Sequence, residues 1–453
     1  MLRIKVGGKI TETTGGNVYN YAKGDITYSS AIEVIETAPE IVYGNAEPHP
    51  EREKIEVECL TLFRPGSHWM NSPEYGFDWI RTGDSGLQAD YPFKDIMGKY
   101  YDSNGELSKD GNKVTSDFRK NPQMYQKLVN SFRCIPVNWK QQENEQGQKE
   151  TYKYPVPVLT LLTGRSATLN LKLEIQKPPQ QLTFEFESLQ GTEYYSLSTN
   201  RIDKIETNVY DLKDYLTITS LKECDQWQTL KVKADGELCG MLSIHPNSKK
   251  YQSSLKIALI KVKTDINGEV PEVEYKPEEI DILTGVLNQA LIIPEIVEEP
   301  EYLDCTGEEF KTTYASYGRL RRSGENGYKI TGNQNRLKSY LVSRCLKQYH
   351  KKYENHVVIF FIEEEAFEFG FSPMGSKVGI NFKDRMNDVP THEILHGLSL
   401  PHSFDSNSLK ATYTYRQMKT HNVMDYSSQR KIPSNCLFLW QWQILNNKIK
   451  SNK

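Results

Sequence analysis

The absences in this sequence are informative. Its seven cysteines never form a CxxC pair, and an odd number scattered from Cys59 to Cys436 builds no disulfide framework. That usage fits a chain kept reduced. No apolar run approaches the roughly eighteen residues of a membrane span. The opening stretch, MLRIKVGGKITETTGG, lacks the apolar centre of a secretory signal. We therefore expect cytoplasmic synthesis and, if the protein leaves the cell, a route without a cleaved signal. An excess of basic charge is also missing. With 56 Lys and Arg against 59 Asp and Glu, the net charge of −3 leaves no footprint for nucleic acid or an anionic membrane. Apolar residues are not scarce: at 37%, against 25% charged, they exclude wholesale disorder.

A length of 453 residues suggests about three domains at roughly 150 residues each. Residues 1–50 carry short β-prone pieces, AIEVIE and EIVYG, and read as a β-rich leader. Residues 51–160 read as a mixed, β-rich targeting domain with aromatic clusters in FRPGSHWMNSPEYGFDWIRTGD. Within it, KQQENEQGQKETYK reads as a surface loop. Residues 161–268 alternate with period two. Leu169, Leu171, Leu173 and Ile175 make one strand, and Leu182, Phe184 and Phe186 another. Leu230 and Val232 lead through Asp235-Gly236 to Leu238, a hairpin signal, and Leu255, Ile257 and Leu259 add a further strand. Together they predict a β-sandwich.

After DINGEVPEVEYKP the period changes. Pro277 opens a helix with Ile280, Leu283 and Leu287 on one face, and a second helix carries Leu337, Leu341, Cys345 and Tyr349. HVVIFFIEEE is short enough for a buried strand, and SKVGINF reads as the next. Residues 269–453 are therefore an α/β (α+β) unit, and the whole chain is expected to be multidomain.

The chemistry concentrates in THEILHGLSLPHSF. His392 and His396 are four apart, so on a helix both imidazoles leave one face a turn apart and can share one metal ion. Asp388 and Pro390 mark the start of that helix, and Gly397 weakens it after His396. Glu393 stands beside the first ligand, within reach of a water on the metal. A catalytic zinc needs a third protein ligand and an open position. No glutamate follows Glu393, which excludes a downstream glutamate as that ligand. His402, six residues past His396, is the favoured choice, with Asp405 and His421 left open as substitutes. The alternative reading of the whole pattern is a surface helix with solvated histidines.

The pattern HExxHxxxxxH, with HNVMDY further on, resembles the metzincin zinc peptidases. The resemblance implies Zn2+ on His392, His396 and His402, Glu393 as general base, and Met424 in a structural Met-turn beneath the metal. It implies that Tyr426 stabilises the oxyanion and that CLFLWQWQILNNKI is the closing helix. The expected activity is zinc-dependent endopeptidase cleavage of protein or peptide. Substrate is expected along an edge strand within AFEFGF, and the stretch from Phe404 to Met424 beside the primed side. Ser399 departs from the family, which has glycine where the chain reverses. Either Ser399 takes φ > 0 at a cost of about 1 kcal/mol, or the turn differs.

GGKITETTGGNVYNYAKGDI and GFDWIRTGD are similar to leaders of effectors delivered by bacterial type VI secretion systems. That resemblance implies an antibacterial toxin, a secretion-machine partner and an immunity protein. The competing reading is a non-catalytic structural or binding component of a secretion apparatus with a metallopeptidase-like domain. Cys134, His350, His356 and the acidic EEEAFE run read as structural or solvated groups, and His49 as part of a linker.

Overall fold

The computed structural model describes residues 57–450, apart from 71–73, 109–116, 144–146, 189, 204, 206–207, 317–318, 321–329 and 407–410. The leader expected over residues 1–50, with His49, lies outside the described residues. What they form is a mixed α/β, strand-rich protein.

Alternation builds the first sheet. Strand Ser166–Lys177 buries Ala167, Leu169, Leu171, Leu173 and Ile175 on one face. It pairs antiparallel with Glu58–Pro65 on one side and Val209–Ser220 on the other. Strands Gln228–Ala234 and Glu237–Ile244 form the expected hairpin, with Asp235 at φ 49° and Gly236 at φ 94° in its two-residue turn. The sandwich expected over 161–268 takes another form. These strands and Glu58–Pro65 belong to one ten-stranded, curled sheet. Period-two alternation fixes which face is buried but carries no information on which strands pair. KQQENEQGQKETYK also differs from expectation: Cys134–Glu143 and Lys149–Pro155 pair as a hairpin. Its buried alternation (Ile135, Val137, Tyr154) lies at one end only, so the polar end resembled a loop.

The second sheet is mostly parallel. Strand Ser253–Thr264 lies between Ile292–Glu298 and Val357–Ile362, and Val378–Asn381 continues the sheet. Gly370–Phe371 pairs antiparallel with Val378–Asn381 at one edge. Leu255, Ile257 and Leu259 therefore belong to this sheet and not to the sandwich expected for them. Ser253–Thr264 is apolar on both faces. Ile257 and Leu259 enter the main core, whereas Ala258, Ile260 and Val262 face a second core under helix Ile330–Gln348. Burial on both faces is what a parallel strand needs.

Helices Pro277–Gln289, Val389–Gly397 and Leu439–Lys450 contribute to the main core, which also holds Leu169, Leu230 and Trp79 from the curled sheet and its flanks. The expected segments 51–160, 161–268 and 269–453 thus share one core. Gln289 shows how closely they join. Its carbonyl accepts from Thr160 Oγ1 at 2.6 Å, and its buried amide accepts from Leu437 N and donates to the Asn435 carbonyl. Gly76 sits against the same point, where a Cβ would lie 2.7 Å from that carbonyl.

Candidate metal centre

The histidine helix runs from Val389 to Gly397 and every residue in it is buried. Asp388 precedes it, as the sequence suggests, but its side chain does not cap the helix. Its carbonyl accepts from His392 N at 2.9 Å. Its carboxyl accepts from Ser428, and burial pushes that carboxyl up to about 6.

The helix ends in a Schellman turn. Ser399 N donates to the His396 carbonyl at 2.8 Å and Leu400 N to that of Leu395 at 2.9 Å, with Ser399 at φ 75°. Serine therefore adopts the left-handed conformation usually given to glycine. The turn also brings the Leu400 carbonyl back to His396 Nδ1, 2.9 Å away. His392 Nδ1 lies 2.7 Å from the Val423 carbonyl. Each of these nitrogens must carry its proton to bond a carbonyl, which leaves both Nε2 atoms with lone pairs.

Those lone pairs converge. His396 Nε2 lies 3.0 Å from His392 Nε2 and 3.0 Å from His402 Nε2. Two acceptors facing each other at that distance repel, unless a cation sits between them. Nitrogens so spaced can each reach one ion at about 2.0–2.1 Å. Burial pulls His392 down to about 4, and burial together with His392 pulls His396 down to about 3. His402 is held well below the usual histidine range by burial. All three rings stay neutral near pH 7, as metal ligands must be. His392, His396 and His402 thus form a buried triad that can hold a metal ion.

The alternative third ligands are placed elsewhere. His421 Nε2 bonds the Gln88 carbonyl. Neither His421 nor Asp405 joins the three-histidine cluster, which is the one such cluster among the described residues.

Glu393 is buried with its side chain against the edge strand. A Cβ on Gly370 would lie 2.9 Å from Glu393 Cγ, so glycine there leaves room for the carboxylate. Burial, and Glu368 second, push the Glu393 carboxyl well above the usual carboxylate range. A nearby cation acts in the opposite direction. The Tyr426 hydroxyl lies 3.0 Å from His402 Nε2. AFEFGF supplies the edge strand Gly370–Phe371 next to Glu393.

Met424 is fully buried in a tight turn closed by Asp425 N to the Asn422 carbonyl at 2.9 Å. The turn's Val423 carbonyl orients His392, and its Met424 carbonyl accepts from Ser403 N, beside His402. Asn422 exchanges two side-chain bonds with Gln441 in the closing helix Leu439–Lys450. Sequence reasoning missed Asn422, Gln441 and Asp425. The buried Asp425 carboxylate accepts from Met418 N, Lys419 N, Thr420 N and Tyr426 N. The Asx-turn chemistry of Asn422 was the available signal. Cys134 contacts the Val129 and Phe132 carbonyls, and all seven cysteines are free.

The fragment GFDWIRTGD contributes strand Gly76–Asp78 and a loop. Asp78 receives the first backbone N–H of the closing helix, from Leu439 at 2.7 Å, and pairs with Arg81. The described part of this stretch therefore supports the half of the fold that carries the histidine triad. No described helix is long and apolar enough to cross a membrane. No protein-family model matches the chain, and no curated protein matches it.

Proposed function

We propose that the protein is a zinc-dependent endopeptidase of metzincin type. The observation that carries this reading is the convergence of three neutral imidazole Nε2 atoms beside a buried glutamate that is not itself in the ligand cluster. Three nitrogen ligands, with a fourth position left for water or substrate, are the donor set of a catalytic zinc site. Zinc, when bound there, supplies Lewis acidity that makes water a nucleophile near neutral pH and polarises a carbonyl.

The residues of the chain do the rest. Glu393 takes the proton of the attacking water and delivers it to the leaving amine. Tyr426 moves off His402 and donates its hydroxyl hydrogen bond to the oxyanion, an interaction that strengthens in the transition state. The edge strand Gly370–Phe371 aligns an extended substrate by β-augmentation. Gly370 keeps that strand close to Glu393.

The setting we propose is an antibacterial effector, on the similarity of its first residues to type VI leaders. An immunity protein and a secretion-machine partner belong to that proposal. Purified full-length protein tests the core reading. Degradation of unfolded casein that stops on chelation and returns with added zinc supports it. A protein that carries one zinc and degrades neither casein nor peptides supports the structural-component reading instead.

A further inference from the structure

Two of the three histidines have an outer hydrogen bond that fixes the ring: His392 to the Val423 carbonyl and His396 to the Leu400 carbonyl. His402 Nδ1 has no such partner among the described residues. Its ring instead lies flat on Phe404, with centroids 4.7 Å apart and planes inclined by 13°. Phe404 is 2% exposed and also packs on Tyr426 at 5.1 Å. Its place is set by backbone bonds on either side of Ser403, from Ser403 N to the Met424 carbonyl and from Tyr415 N to the Ser403 carbonyl, both 2.9 Å.

We propose that Phe404 is the positioning residue of the third ligand, doing by stacking what a carbonyl does for the other two. A metal ligand with an unfixed ring loses rotational freedom when it binds, and that loss weakens affinity. Offset stacking on a buried ring whose neighbouring backbone is anchored confines the imidazole before the ion arrives. The same ring bounds Tyr426, so one aromatic side chain sets both the ligand and the group that touches it. The inference rests on the metal-centre reading.

The test is metal titration of the full chain, with Zn2+ and with Co2+ as a spectroscopic substitute, in wild type, Phe404→Leu and Phe404→Tyr. Phe404→Leu should bind zinc roughly 10–100-fold more weakly. The visible band of its cobalt form should shift, and zinc affinity should fall further than the accompanying loss of metal-free stability accounts for. Phe404→Tyr keeps a ring face and should return both readouts close to wild type. If Phe404→Leu does not fold, Phe404→Met, whose flexible chain fills irregular gaps, gives the same readout. Equal affinity and an unchanged cobalt spectrum in Phe404→Leu would overturn the role of Phe404 and leave the zinc reading intact. Affinity lost only in proportion to metal-free stability would overturn it too. A wild type that binds neither ion would overturn both.

Discussion

Ser399 holds φ at 75° so that Leu400 can return its carbonyl to His396. The strain falls on one residue and leaves the ligand set intact. Ser399→Gly removes the steric cost of a left-handed β-carbon, and in denaturant melts it should stabilise the metal-free protein by about 1 kcal/mol with zinc binding retained. The histidines separate as cleanly. His402→Ala should lose zinc affinity by orders of magnitude in competitive titration. His421→Ala should keep one zinc per chain, because its ring is committed to Gln88 and lies outside the cluster.

At the scale of elements, the histidine helix depends on what happens at both its ends. Asp388 at its start is an acid whose folded-state value, about 6, lies above its unfolded 3.8. The unfolded chain therefore ionises first, and stability falls as pH rises from about 4 to about 6, with the full penalty present at neutral pH. Asp388→Asn should stabilise the protein above pH 6 by up to roughly 3 kcal/mol, and the gain should vanish below about pH 4. Denaturant midpoints measured across that range check both the sign and the window.

The elements that were legible in sequence are those with strong local signals. They are the helix at Pro277, the buried run VVIFFI, the Asp235-Gly236 hairpin and the four-residue spacing of His392 and His396. What stayed hidden was pairing between distant segments. Ser253–Thr264 looks like another alternating strand until its second face is seen to be buried too. His392 and His396 were readable because their spacing is helical, and His402 because it follows them closely in the chain. Phe404, Gln441 and Asp425 were not, because each acts on residues that only the tertiary fold brings near.

At the scale of the whole molecule, the half that carries the histidine triad is not free-standing. Residues 269–453 lack Ser253–Thr264, which pairs with both Ile292–Glu298 and Val357–Ile362. They also lack the Thr160 and Asp78 contacts to Gln289 and the closing helix. A 269–453 fragment should therefore show poor amide dispersion and no cooperative melt, and a well-dispersed spectrum would contradict that. Functional tests accordingly belong to the full chain. The most direct is mass-spectrometric detection of products from a diverse peptide library, with zinc-loaded wild type and zinc-loaded Glu393→Gln side by side. The account predicts discrete cleavages by wild type and a loss of at least roughly 100-fold in Glu393→Gln with its zinc retained. An intact library after incubation with zinc-loaded wild type, or equal cleavage by the two proteins, would contradict it.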